Sequence, residues 1–218
     1  MALPPSLSET PALLIADTSV VINLNATGCA EEILKALPHR VAVVDVVIDE
    51  INGGVRKGRQ DAAKLATLIA AHAVEVVRLG PQGLLRFESL VVGSAGETLD
   101  DGEAATIAYA EEAGARALID ERKARRLAAE RHASVPLGCT ADLLAYGEVE
   151  RAVGRAAVAE AVHNALIGAR MRVPDHHMDW VMRLIGDERA AVCLSLPART
   201  REQARARLVR LSALSQGD

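Results

Sequence analysis

Four carboxylates placed where apolar runs stop, or where the next helix starts, constrain this chain more than any other feature. Asp17 ends Ala12-Leu13-Leu14-Ile15-Ala16, and Asp120 ends Ala117-Leu118-Ile119. Glu50 follows the run from Val41 to Ile48, and Glu103 opens a stretch of helical periodicity. Short runs of Val, Ile and Leu read as strands of a parallel sheet, buried on both faces. In an open α/β sheet the carboxyl ends of such strands border the functional crevice. Carboxylates gathered there repel one another and persist only around something positive, most often a hard metal ion. The pattern implies a metal-dependent enzyme that acts on phosphates.

The rest of the chain agrees with an α/β reading. Strands are expected at 12–16, 40–44, 74–79, 116–119 and 135–137, separated by helical stretches. These run from after the first strand to Leu37, over 45–51, and over 61–72, where Ala63, Leu65, Leu68 and Ile69 share a face. Further helices are expected over 103–113, closed by Gly114, and over 123–132. Asn52 to Arg59 reads as a Gly-rich loop, and Gly80-Pro81 as a turn. Strand–helix alternation predicts a parallel sheet with right-handed crossovers, in which the first, second and fourth strands are neighbours. Past Ala141 the chain reads as helical over about 141–170, 175–185 and 200–212, with Pro174 and Pro197 as separators. The expected organisation is one α/β domain over 1–150 and a helical extension over 151–218.

Half of the 218 residues are hydrophobic, ample for one core. Cys29, Cys139 and Cys193 are odd in number and far apart, which suggests neither disulfides nor a zinc cluster and fits a reducing, cytoplasmic setting. The first eleven residues lack a signal-peptide pattern, and no apolar run approaches the ~18 residues of a membrane span. The net charge of −4 does not advertise nucleic acid, so a polyanion would have to meet local basic patches.

Each acid also has a plain structural explanation. Asp17 fits the turn Asp17-Thr18-Ser19. Glu103, three residues after Asp100, has capping-box spacing. Asp49 and Glu50, like Asp120 and Glu121, can complement a helix N-terminus. Their joint placement is harder to explain that way, because like charges a few ångströms apart cost on the order of several kcal/mol in a partly dry site. An all-oxygen donor set selects Mg²⁺ or Mn²⁺ over zinc.

Four segments carry a family resemblance: Leu14-Ile15-Ala16-Asp17-Thr18-Ser19, Val47-Ile48-Asp49-Glu50-Ile51, Asp100-Asp101-Gly102-Glu103-Ala104-Ala105-Thr106-Ile107-Ala108, and Ala117-Leu118-Ile119-Asp120-Glu121-Arg122-Lys123. Together they resemble the PIN-domain ribonucleases. The Gly-Glu-Ala form of the third motif is most similar to a bacterial and archaeal subfamily of nucleic-acid-binding PIN proteins related to toxins of toxin–antitoxin pairs. The likeness covers about residues 12–147 and extends loosely to Ile185 through Asn164 to Val173. It implies a three-layer α/β/α fold with a central parallel sheet of about five strands, followed by C-terminal helices.

The resemblance further implies that the acids bind one or two Mg²⁺ or Mn²⁺ ions, at which water attacks a phosphodiester of single-stranded RNA. Asp17, Glu50, Glu103 and Asp120 are then the catalytic set. Asp17, Glu103 and Asp120 are the metal ligands, with Glu121 as the alternate for Asp120, since successive strand residues face opposite ways. Thr18 and Ser19 would hold the carboxylates by hydrogen bonds. Homodimers and a small antitoxin partner are implied by the same likeness; a membrane is not.

Arg56, Lys57 and Arg59 on the Gly-rich loop, and Arg122, Lys123, Arg125 and Arg126 after the fourth strand, are the candidate phosphate contacts. Aromatic stacking platforms are scarce, which argues against an unspecific single-strand groove. His176 and His177 are expected to be structural or on the surface, and the Arg-rich segment 200–211 to pack on the domain. Two other readings remain: a non-catalytic binding module, and a phosphatase of the type that needs Asp-x-Asp after its first strand, where this chain has Ser19.

Overall fold

Alternation along the strands builds the molecule. The computed structural model describes residues 7, 12–55, 60–94 and 96–214. Within these, β1 (Leu13–Ala16), β2 (Arg40–Val44), β3 (Glu75–Val77), β4 (Arg116–Leu118) and β5 (Leu137–Gly138) form one sheet in the order β3-β2-β1-β4-β5. Every pairing is parallel. Helices α1 (Thr18–Thr27) and α2 (Ala30–Ala36) join β1 to β2, and α3 (Asp45–Val55) and α4 (Asp61–Ala70) join β2 to β3. Helices α5 (Pro81–Val91) and α6 (Asp101–Ala113) lead to β4, and α7 (Arg122–Arg131) leads to β5. The chain finishes with α8 (Thr140–Leu144), α9 (Gly147–Val153), α10 (Arg155–Gly168), α11 (Asp175–Val192) and α12 (Ala198–Leu214).

Successive strand residues face opposite sides, so each strand feeds two cores. Leu14, Ala16, Val41, Val43 and Leu118 join one core with α1–α4 and α8–α12. Ile15, Ala42, Val44, Ala117 and Ile119 join the other with α5–α7. This is the three-layer α/β/α arrangement with five parallel strands and trailing helices that the sequence leads one to expect. The first core passes through residue 150 without interruption: Val158, Val162 and Leu166 of α10, and Val181 and Ile185 of α11, pack in it beside Leu14 and Leu24.

Local expectations differ from the structure in three places. Helix α3 continues through Gly53 and Gly54 to Val55 instead of breaking at Asn52, and its Ile51 is buried in the first core; docking overrides the weak helix propensity of the two glycines. Pro81 does more than turn the chain. It occupies the first turn of α5, where its missing N–H costs nothing, and Leu90 of that helix is buried. The stretch from 141 to 170 is three helices: α8 stops at Leu144 with Ala145 as its C-cap, and Gly154 takes φ +87° between α9 and α10, outside the helical region.

Candidate functional site

The carboxyl edges of β1 and β4 lie side by side, and each ends in an acid. The Asp17 N–H donates to the Leu118 carbonyl at 3.2 Å, so Asp17 and Asp120 emerge from neighbouring strands. Asp17 is the N-cap of α1 and only 1% exposed; its Oδ1 accepts the Val20 N–H at 2.7 Å. The Ser19 hydroxyl lies 2.9 and 3.0 Å from its two oxygens. Burial pushes the Asp17 carboxyl well above the usual range, and the charges of Asp120 and, less strongly, Glu103 push it further.

Asp120 is 6% exposed and is held by three donors: the Thr140 N–H at 2.9 Å, the Thr140 hydroxyl at 2.5 Å and the Asn23 amide at 2.6 Å. Burial raises its pKa too, against the pull of those hydrogen bonds and of Arg125. Glu103 sits in the first turn of α6. One of its oxygens accepts the Asp100 N–H at 3.4 Å, in a capping box. Desolvation lifts its pKa from 4.5 to about 7, with Asp100 and Glu121 adding to the rise and Lys123 opposing it.

Glu50 accepts a hydrogen bond from the Thr18 hydroxyl at 2.7 Å, which ties α3 to the start of α1. Gly102 fits against this pair. A Cβ there would collide with Glu50 Oε2 and stand 2.7 Å from Thr18 Oγ1. Glycine thus lets the N-terminus of α6, with Glu103 next in sequence, approach the Thr18–Glu50 contact.

The two acids after β4 have different surroundings. Asp120 points into the protein toward Asn23 and Thr140. Glu121 is half-exposed at the start of α7 and pairs with Arg172 at 3.6 Å. A cleft of about 880 Å³ opens over this edge, bordered by Ser19, Asn23, Asp120 and Glu121 and also by Lys64, Arg170 and Arg172.

The cations expected from sequence fare unevenly. Arg56, Lys57 and Arg59 lie outside the described residues. Arg125 donates to the Ile119 and Gly138 carbonyls at 2.9 and 2.6 Å and thereby braces β4 against β5. Arg126 pairs with Glu130 one turn away, at 3.0 Å. Arg122 is exposed, and Lys123 is the one of this group that acts electrostatically on Glu103.

A second cluster was not anticipated. Cys139, Asp142 and His177 are buried with their ligand atoms within 4.8 Å of one another, the one such group of three among the described residues. Asp142 is fully engaged: Oδ1 meets His177 Nε2 at 2.5 Å, and Oδ2 accepts the Cys139 N–H at 2.9 Å. Burial, with the charges of Asp142 and Asp120, raises the Cys139 pKa and keeps the thiol protonated when no cation is near. The trio reads as a clamp that seats α11 on the first turn of α8, the turn whose Thr140 holds Asp120. His177 is therefore buried structure, while His176 is exposed.

A PIN-domain family model matches residues 13–187. The chain belongs to the PIN-domain family. No curated protein and no solved structure matched it. PIN domains are generally nuclease folds, typically dependent on divalent metal ions. The carboxylates at the sheet edge of this PIN domain are the oxygen donors such an ion takes, although no three of them bring their oxygens within 4.8 Å of one another. Asp17, Asp120 and Glu103 are pushed toward protonation, a cost that a hard cation would remove. No helix among the described residues is long and apolar enough to cross a membrane.

Of the residues the site uses, Asn23, Gly102 and Thr140 escaped sequence reasoning. Asn23 had a visible signal, a polar residue within the apolar run of α1 at a position that the helix buries. Thr140 had none, because its role depends on β5 lying beside β4.

Proposed function

We propose that this PIN domain is an endoribonuclease that hydrolyses phosphodiesters of single-stranded RNA with Mg²⁺ or Mn²⁺. One observation carries the reading: Asp17 and Asp120, buried on adjacent strand ends, and Glu103 on α6 are all raised in pKa, and Asp17 is raised in part by the other two. A buried Asp17 that feels the charges of Asp120 and Glu103, with Asp120 bordering an open cleft, is costly without a cation and useful for capturing one.

Asp17, Glu103 and Asp120 would hold the ion. Once bound, it supplies Lewis-acid stabilisation of the charge that develops on the phosphate oxygens and lowers the pKa of water. Ser19, Asn23 and Thr140 hold the two Asp carboxylates in fixed orientations by hydrogen bonds, as partners of metal ligands do. Glu50, hydrogen-bonded by Thr18, would orient the attacking water through its carboxylate. Asp120, beside Asp17 at the adjacent strand end, is the acid we assign to the ion, and Glu121 stands at the start of α7.

A toxin role, with a small antitoxin partner and homodimer formation, extends the same proposal to the cellular level. The purified protein is expected to cleave single-stranded RNA when Mn²⁺ or Mg²⁺ is added back after EDTA treatment, and Asp17→Asn is expected to abolish cleavage. Undiminished cleavage in EDTA, or by the variant, would refute the assignment. The second reading, a non-catalytic binding module, requires instead that titration with Mn²⁺ detect no binding that Asp17→Asn removes.

A further inference from the structure

The turn that joins α10 to α11 carries two arginines on the wall of the cleft, and the way it is built holds them there. Arg170 and Arg172 are exposed, while Met171 (1% exposed) and Val173 (8%) between and after them are buried in the first core. Both arginines border the cleft. The Met171 N–H donates to the Ala165 carbonyl at 3.1 Å, which pins the turn to the end of α10.

Arg170 pays a conformational cost to be where it is. It follows the C-cap of α10 at φ +57°, one of two non-glycine residues with positive φ among the described residues. Helices α1 and α6 place glycine in that left-handed position, at Gly28 and Gly114. Helix ends favour glycine there because a Cβ is disfavoured. Backbone strain of this kind is found where a side chain has work to do.

The charges are also available. Among the described residues, no carboxylate forms an ion pair with Arg170. Lys64 of α4 donates to the Asn25 carbonyl at 3.1 Å and forms no ion pair among the described residues, with Asp61 bordering the same cleft. Arg172 is more than half exposed and meets Glu121 only at 3.6 Å. An exposed pair of that kind is worth roughly 0–1 kcal/mol, so a phosphate can take the guanidinium over at small cost. The forked guanidinium suits the phosphate oxygens.

Resting on the nuclease reading above, we propose that Arg170, Arg172 and Lys64 form a phosphate-binding wall that grips consecutive phosphates of a single RNA strand beside Asp120. This wall, not the cations at the start of α7, positions the substrate. It assigns to the segment after residue 150 a direct part in binding.

Fluorescence anisotropy of a 5′-labelled single-stranded oligoribonucleotide tests this, using the full chain with Asp17→Asn as the parent so that nothing is cleaved. Adding Arg170→Gln and Arg172→Gln together is expected to weaken binding at least about tenfold. It should also reduce the slope of log affinity against log salt by about 1.4, since each phosphate contact on a single strand contributes about 0.7. Each single variant should give about half of that change in slope, and Lys64→Gln a further ~0.7. Arg126→Gln should change neither affinity nor slope. If the double variant binds like the parent with the same slope, the wall is refuted and the nuclease reading stands. If the parent binds no RNA at any salt concentration, both fall.

Discussion

Glu103→Gln should make the metal-free protein more stable at alkaline pH and leave it unchanged at acid pH. Glutamine keeps the shape of the side chain and can still accept the Asp100 N–H, so the capping box survives. What it removes is the charge. Folding raises the Glu103 pKa from 4.5 to about 7. The folded state therefore binds the proton more tightly than the unfolded chain does. The stabilisation this gives is fully present below pH 4.5 and is lost as the pH rises through 7.

The displacement from 4.5 to about 7, at about 1.4 kcal/mol per pH unit, caps the effect at roughly 3 kcal/mol. Glu103 is only half-buried, and solvent screening brings the expectation to about 1–3 kcal/mol. Urea denaturation in EDTA measures this directly. At pH 4 the two proteins should unfold together, and at pH 8 the variant should be the more stable by that amount. In thermal unfolding each kcal/mol corresponds to roughly 2–4 °C for a chain of this size. Mn²⁺ at pH 8 should then stabilise the wild type more than the variant, because only the wild type offers a third carboxylate. A variant less stable than the wild type at pH 8 in EDTA, or one offset equally at both pH values, would refute the reasoning.

Two further substitutions probe the surroundings of the site. Gly102→Ala should lower RNA cleavage at least about tenfold with little change in stability: up to ~1 kcal/mol of gained helix propensity offsets the ~1 kcal/mol lost with the Thr18–Glu50 hydrogen bond, and full activity would count against the close approach seen here. His177→Ala should cost about 3–5 kcal/mol in urea denaturation by leaving Asp142 buried without its partner. Pairing it with Asp142→Ala should cost less than the two single effects combined, and strict additivity would show that the clamp is not an interacting pair.

Much of the fold is legible in short-range pattern. The strand cores at Leu13–Ala16, Arg40–Val44 and Arg116–Leu118 follow from local apolar runs, and the alternation of strands with helices implies the parallel sheet. The positions of Asp17 and Asp120 follow as well, since an acid directly after a buried strand can only emerge at the sheet edge. Helix ends were less readable. Whether Gly53 and Gly54 stay helical, or where residues 141–170 break, depends on what each segment docks against.

The different surroundings of Asp120 and Glu121 came only with the tertiary structure, because those of Asp120 depend on Asn23 and Thr140, which lie 97 and 20 residues from it in the chain. The same holds for the cations. Sequence proximity favoured Arg122 to Arg126, yet the structure spends Arg125 on strand carbonyls and Arg126 on Glu130, and it brings Arg170 and Arg172 to the cleft from beyond residue 150. Hydrophobic periodicity is a local property of the chain and can be read along it. Charge pairing and hydrogen bonding at a site are set by distance in space, and that is decided only when the helices pack.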